Sequence, residues 1–154
     1  MQLDQLRLIN IKKDQLPSLK FLLVSIFPVR YSTKYFLEVL ENEKVSFIAY
    51  YKGNPIACLC SKRESDSVLL TALGVLPTYR RFGIASLLLE LLISTIKNNF
   101  LEIGRVYLHV PVDNSNAIKF YKKHSFLQEQ QVLNYYATSY SLAKKDAILF
   151  SKQI

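Results

Sequence analysis

The apolar positions of this chain follow two alternating rhythms. Leu6-Arg7-Leu8-Ile9-Asn10-Ile11 alternates apolar and polar residues and reads as a first strand. The spacing then turns helical, placing Leu16, Leu19, Leu22, Leu23 and Ile26 on one side. Asp14 is a candidate cap for that helix, and Pro17 falls in its first turn, where proline is tolerated. Phe27-Pro28 stops it, and Ser32 or Thr33 caps a second, shorter helix through Tyr35, Phe36, Val39 and Leu40. Val45 to Tyr51, a Lys52-Gly53-Asn54 turn and Ile56 to Lys62 predict a hairpin. The polar stretch Arg63 to Ser67 leads into a strand from Val68 to Leu76. Leu87, Leu88, Leu91, Leu92 and Ile96 then recur at helical spacing within Ser86 to Lys97. Arg105 to Val110 predicts a strand, and Asn114 to Lys123 a helix carrying Ala117, Ile118, Phe120 and Tyr121. Phe126 to Val132 and Ala147 to Lys152 read as two last strands. The predicted order, β-α-α-β-β-β-α-β-α-β-β, describes a mixed α/β single domain over residues 1–154. Its sheet is mostly antiparallel and flanked by helices, with one crossover through the helix near residue 86.

Composition narrows the picture. A chain of 154 residues buries about 68–70% of its unfolded surface and needs no metal or disulfide staple. Cys58 and Cys60 lie two apart in a strand-like run, too close for an ordinary bridge, and without a second His/Cys cluster they make no zinc site. They read as small buried apolar residues, and no metal is expected. The net charge of +8 favours an anionic partner: a polyphosphate cofactor, RNA or an acidic protein surface. The basic pairs, Lys12-Lys13, Arg80-Arg81, Lys122-Lys123 and Lys144-Lys145, are scattered as solvated surface rather than gathered into a tail. No secretory signal or membrane-length apolar run is apparent, so the expected location is cytosolic, with reduced thiols and no membrane contact.

One segment carries more chemistry than any other. Arg80-Arg81-Phe82-Gly83-Ile84-Ala85 sits where the strand ending at Leu76 hands over to a helix. Helix N-termini present unpaired N–H groups and a positive dipole end, which attract phosphate. Gly83 lets the backbone approach a ligand, and Ala85 is too small to block it. No Gly-Lys-Ser/Thr follows, unlike the nucleotide P-loop, and a single glycine does not make the dinucleotide fingerprint.

The Arg-x-x-Gly-x-Ala pattern resembles the acyl-coenzyme A pyrophosphate loop of the GCN5-related N-acetyltransferases, and the element order is theirs too. Four further segments resemble one branch, the San-type catalytic subunits of NatE-type N-terminal acetyltransferases. They are Ile26-Phe27-Pro28-Val29-Arg30-Tyr31; Leu73-Gly74-Val75-Leu76 with Tyr79-Arg80-Arg81; Tyr107-Leu108-His109-Val110 with Asn114 and Ala117-Ile118-Lys119-Phe120-Tyr121; and Asn134-Tyr135-Tyr136. The resemblance implies acetyl transfer from acetyl-CoA to the α-amine of peptides that begin with Met. It implies that Leu73, Gly74 and Val75 lie along the cofactor arm and that Arg80, Arg81, Phe82, Gly83, Ile84, Ala85 and Ser86 hold its pyrophosphate. Asn114 would touch the pantetheine arm, and Tyr121 would sit near the departing thiolate. Phe27, Pro28, Val29 and Tyr31 would form the methionine pocket, with Tyr135 and Tyr136 over the peptide from the other side. Implied partners are nascent peptide N-termini, the NatA auxiliary and catalytic subunits and, through them, the ribosome, in the cytoplasm and also the nucleus, without direct DNA contact.

The chemistry of His109 suits this reading. An N-terminal ammonium must lose a proton before it attacks a thioester, and an imidazole titrating near neutrality can accept it. His109 also reads as a hydrogen-bonded core histidine, Tyr121 as a packed aromatic, and Phe27-Pro28 as a helix stop alone. His124 fits a helix C-terminal cap or a surface role. The chain departs from the family at Leu69, where the resemblance places a tyrosine that shares a water with the histidine; neither Val68 nor Leu70 supplies one. A leucine neither holds nor deprotonates water. The expectation is a slow enzyme, or a subunit that binds cofactor and supports NatA without turnover. Acetylation of small amines or internal lysines leaves Phe-Pro-Val-x-Tyr unexplained, and no aromatic-basic motif points to RNA.

Overall fold

The computed structural model describes residues 1–138 and 142–154. Among the described residues, seven strands form one sheet: β1 (Leu6–Asn10), β2 (Phe47–Tyr51), β3 (Asn54–Arg63), β4 (Ser67–Val75), β5 (Arg105–Pro111), β6 (Leu127–Val132) and β7 (Ala147–Gln153). Four α-helices among the described residues flank it: α1 (Leu16–Ile26), α2 (Thr33–Glu41), α3 (Ile84–Asn99) and α4 (Ser115–Lys123). The strands lie in the order β1-β2-β3-β4-β5-β7-β6. Every neighbouring pair is antiparallel except β4 and β5, which α3 connects. The element order matches the one predicted from periodicity.

Alternation in the strands builds two cores, one on each face of the sheet. Ala57 and Leu59 of β3 join Val68, Leu70, Val106, Leu108 and Val110 beneath Leu88, Leu89, Leu92 and Ile96 of α3. Cys58 and Cys60 point the other way, into Leu19, Leu22 and Leu23 of α1 and Val39 of α2. Both thiols are free and fully buried, as expected of small apolar residues.

β4 changes phase part-way along. Cys60 pairs with Ala72 but Ser61 with Leu70, so Thr71 is an extra residue, a β-bulge. Its hydroxyl donates to the Cys60 carbonyl at 3.1 Å. Before the bulge, Val68 and Leu70 face α3; beyond it, Ala72 joins the α1 core while Leu73 and Val75 pack towards α3. The bulge thereby turns Gly74 towards α1.

Two local expectations need correction. Asp14 does not cap α1: a 3-10 turn over Lys13–Gln15 feeds the helix directly, and Gln15 at the cap position turns its side chain back to the Lys12 N–H at 3.0 Å. The first strand of the hairpin begins at Phe47 rather than Val45, because Glu43–Val45 forms another 3-10 turn. Of the two candidates for α2, Ser32 is the cap, accepting from the Tyr35 N–H at 3.2 Å.

Candidate active site

β4 and β5 pair only at their base: Ser67 with Arg105, Val68 with Val106, and Leu69 with Tyr107. β4 continues to Val75 and β5 to Pro111, yet their ladder does not. The two strands part, and a wedge opens in the middle of the sheet. Backbone groups on its walls have no ladder partner, an arrangement that leaves donors and acceptors for a ligand. At the rim, the Val75 carbonyl accepts from Arg80 Nε at 3.0 Å, which ties the following loop to the end of β4.

That loop ends in two left-handed residues, Arg81 at φ +65° and Gly83 at φ +79°. Gly83 is the N-cap of α3, and no side chain caps the helix, so its first N–H groups stay available to an anion. The side chains share the work unequally. Ile84 is buried in the core, Ala85 packs against it, and Ser86 Oγ lies 2.9 Å from His124 Nε2. Phe82 is half exposed, and Arg80 is engaged through Nε. The loop therefore offers an anion mainly its backbone and the exposed Arg81. His124 occupies the C-cap of α4 and links that helix to α3.

Gly74 joins the wedge to the opposite side. A Cβ built there would lie 2.6 Å from Ile26 Cγ2 and 2.7 Å from Phe27 Cζ. Only glycine allows the α1 terminus to press against β4, and this places Phe27 beside the strand. From Phe27 an aromatic row follows: Phe27 to Tyr31 at 6.4 Å between ring centroids, and Tyr31 to Tyr35 at 4.7 Å. Tyr35 Oη lies 2.9 Å from Thr71 Oγ1, which fastens α2 to the bulge. Pro28 and Val29 are exposed at the start of this row.

β5 supplies the centre of the site. Val106, Leu108 and Val110 face the core, which leaves Tyr107, His109 and Pro111 on the other face. The His109 imidazole stacks on Tyr135, with centroids 4.0 Å apart and planes 12° from parallel. Tyr136 Oη donates to the His109 carbonyl at 3.4 Å, and the Tyr135 and Tyr136 rings meet edge to face at 4.9 Å. Asp146 steadies this β6–β7 connection by accepting from the Asn134 N–H at 2.8 Å and Gln131 Nε2 at 2.9 Å. Tyr136 lies near enough to Tyr31 to raise that phenol's pKa, after the larger effect of burial.

Among the described residues, His109 Nδ1 is buried without a hydrogen-bond partner. Burial also lowers the imidazole's pKa from its ordinary 6.5, so the ring is neutral at pH 7 and able to accept a proton.

Residues 12–126 match the acetyltransferase (GNAT) family. The chain belongs to that family. It is 30% identical over 130 residues to a probable N-acetyltransferase san of Drosophila melanogaster, covering 82% of this chain and 70% of the relative. It is 29% identical over 131 residues to N-alpha-acetyltransferase 50 of Danio rerio, covering 82% and 77%. Its fold matches Arabidopsis thaliana Naa50 in complex with the bisubstrate analogue CoA-Ac-MVNAL at a TM-score of 0.88 and 30% identity, over 97% of this chain and 99% of that one. The chain thus has the single-domain GNAT fold and lies close to the San and Naa50 N-α-acetyltransferases.

In this acetyltransferase Tyr121 is buried, packed on Phe120, Phe126 and Phe150. Burial first, and Tyr136 second, push its pKa well above the ordinary tyrosine range. Asn114 caps α4, its Oδ1 accepting from the Ala117 N–H at 3.2 Å, which leaves the amide NH2 for other contacts. Leu69 stands half-buried beside Tyr107, while Val68 and Leu70 turn into the core. The sequence reading gave no site role to Tyr35, Tyr107, Glu64 or Asp146. Tyr107 had a visible signal, its place two residues before His109 on the same strand face; the other three are brought in by tertiary contact.

Proposed function

We propose that this chain transfers an acetyl group from acetyl-CoA to the α-amine of peptides that begin with Met. The observation that carries the reading is the His109 imidazole, stacked under Tyr135 on the strand that walls the open wedge. Leu73, Gly74 and Val75 line the other wall, and the uncapped α3 N-terminus with Arg81 suits a pyrophosphate. Acetyl-CoA supplies the activated acetyl group. His109 takes the proton whose loss turns the ammonium into the attacking amine, and a backbone N–H of β4 meets the oxyanion that forms as nitrogen bonds the thioester carbon. As the C–S bond breaks, Tyr121 gives its proton to the departing sulfur and recovers one from the nitrogen, which sheds its second proton to become the amide. Phe27, Pro28, Val29 and Tyr31 receive the methionine, and Tyr135 and Tyr136 cover the peptide. The analogue bound by Arabidopsis Naa50 carries a peptide beginning with Met, which supports this choice.

The reading extends to partners. The chain acts in the cytoplasm, and also the nucleus, as a NatE-type subunit docked on the NatA auxiliary and catalytic subunits and hence on ribosomes. Exposed Phe21 and Val24 of α1 and Leu37 of α2 offer apolar surface for such docking. In the alternative reading Leu69 makes the chain a weakly active or inactive subunit that supports the complex. One kinetic assay with acetyl-CoA and a Met-Leu peptide, run beside calorimetric titration of acetyl-CoA, separates the two. Turnover that disappears in His109→Ala supports the enzyme; cofactor binding without product supports the scaffold. Failure to co-elute with the NatA pair at micromolar concentration removes the docking reading.

A further inference from the structure

We propose that the Tyr107 hydroxyl, fixed by Glu64, is the second polar contact of the reacting amine beside His109, with Glu64 as its positioning residue. The inference rests on the acetyltransferase reading of the wedge. Tyr107 Oη donates to both carboxylate oxygens of Glu64, at 2.9 and 3.0 Å. Ser67 Oγ donates to the same carboxylate at 3.0 Å, and the Glu64 N–H bonds the Ser67 carbonyl at 2.8 Å, closing the β3–β4 turn around it. The described ion pairs are Lys62–Glu38 and Arg105–Glu129, so hydroxyls rather than a cation hold Glu64. The Arg105 guanidinium lies over the Tyr107 ring at 5.0 Å.

Tyr107 differs from the other phenols on this face. Tyr107 gives its proton to a side-chain carboxylate at 2.9 Å, whereas Tyr136 reaches the His109 carbonyl only at 3.4 Å, Tyr35 bonds Thr71, and the Tyr135 ring covers the imidazole. Tyr107 meets His109 edge to face at 6.2 Å, and beside it in register stands Leu69, which has no polar atom to offer. With its proton directed at Glu64, the Tyr107 oxygen keeps its lone pairs free to accept. An ammonium losing one proton to His109 has two N–H bonds left to satisfy, and Tyr107 Oη accepts one of them. No bond to Tyr107 forms or breaks. Burial, followed by the hydrogen bond to Glu64, pushes its pKa up to about 12, so it remains a phenol throughout.

The test compares Tyr107→Phe, Glu64→Gln and the double variant Tyr107→Phe/Leu69→Tyr in steady-state acetylation of a Met-Leu peptide, with thermal melts as a check on folding. We expect kcat to fall at least about tenfold in both single variants with KM nearly unchanged, because a contact of the reacting nitrogen is lost rather than peptide affinity. A tyrosine at position 69 restores part of the rate. A kcat within about twofold of the unmodified chain in both single variants overturns the proposal, and so does a rise confined to KM. If Tyr107→Phe melts early, Glu64→Gln decides, since it leaves the ring in place. An unmodified chain that binds acetyl-CoA without turnover overturns the acetyltransferase reading and this inference with it. Turnover that survives the variants overturns this inference alone.

Discussion

The two faces of β5 divide the labour of the molecule. Val106, Leu108 and Val110 are buried among α3 side chains, whereas Tyr107, His109 and Pro111 face the open side. One face contributes free energy through burial and close packing. The other leaves an imidazole nitrogen buried without a partner among the described residues, a local cost that ordinary packing does not repay. Neighbouring residues of one strand thus answer to different demands, and mutation should separate them.

The largest effect is expected at His109→Ala. Loss of a general base lowers kcat by about 10²–10⁴-fold, while the melting temperature changes little, because the stacked Tyr135 is itself half exposed. Turnover and a thermal melt on the same sample check both halves. Leu108→Ala inverts the pattern: it costs about 2–5 kcal/mol of stability, read by denaturant titration, with kcat per folded molecule retained. Should Leu108→Ala abolish turnover while the chain stays folded, the division between the faces fails.

Gly74→Ala lies between these extremes. The new Cβ must displace Ile26 and Phe27, at a cost of about 1–3 kcal/mol, and the shift of Phe27 raises the peptide KM more than that of acetyl-CoA. Ser86→Ala should be milder, about 0.5–1.5 kcal/mol for a hydrogen bond between partly buried groups. The pH dependence sharpens the comparison last. The folded pKa of His109 is lowered, so its imidazole stays neutral to below pH 6.5 and loses its accepting role as pH falls through that lowered value. The acid limb of kcat/KM therefore lies below 6.5. Stability changes with the same sign: below 6.5 the unfolded chain binds more protons, so folding weakens as pH falls. His109→Gln removes the His109 share of that slope, leaving the one from His124, whose pKa burial also lowers.

The strand and helix order was legible because burial repeats every two residues in strands and at helical spacing in helices. The Gly83 loop was legible because its residues are contiguous. Asp14 misled because a cap-forming residue near Pro17 looks like a helix start, whereas the backbone enters through a 3-10 turn. The Tyr107–Glu64 pair joins residues 43 positions apart through the shared register of β4 and β5, which no local pattern encodes. The Thr71 bulge was equally hidden, although it is what turns Gly74 towards Phe27.

The placement of Cys58 and Cys60 provides a built-in reporter. Both sulfurs are sealed beneath α1 and α2, the layer that carries Phe27 and Tyr31 to the site. A thiol-modifying dye can reach them only when that layer lifts, so the labelling rate in native buffer measures how often the proposed peptide side of the molecule opens. A peptide bound over that layer would slow the colour change without touching either cysteine.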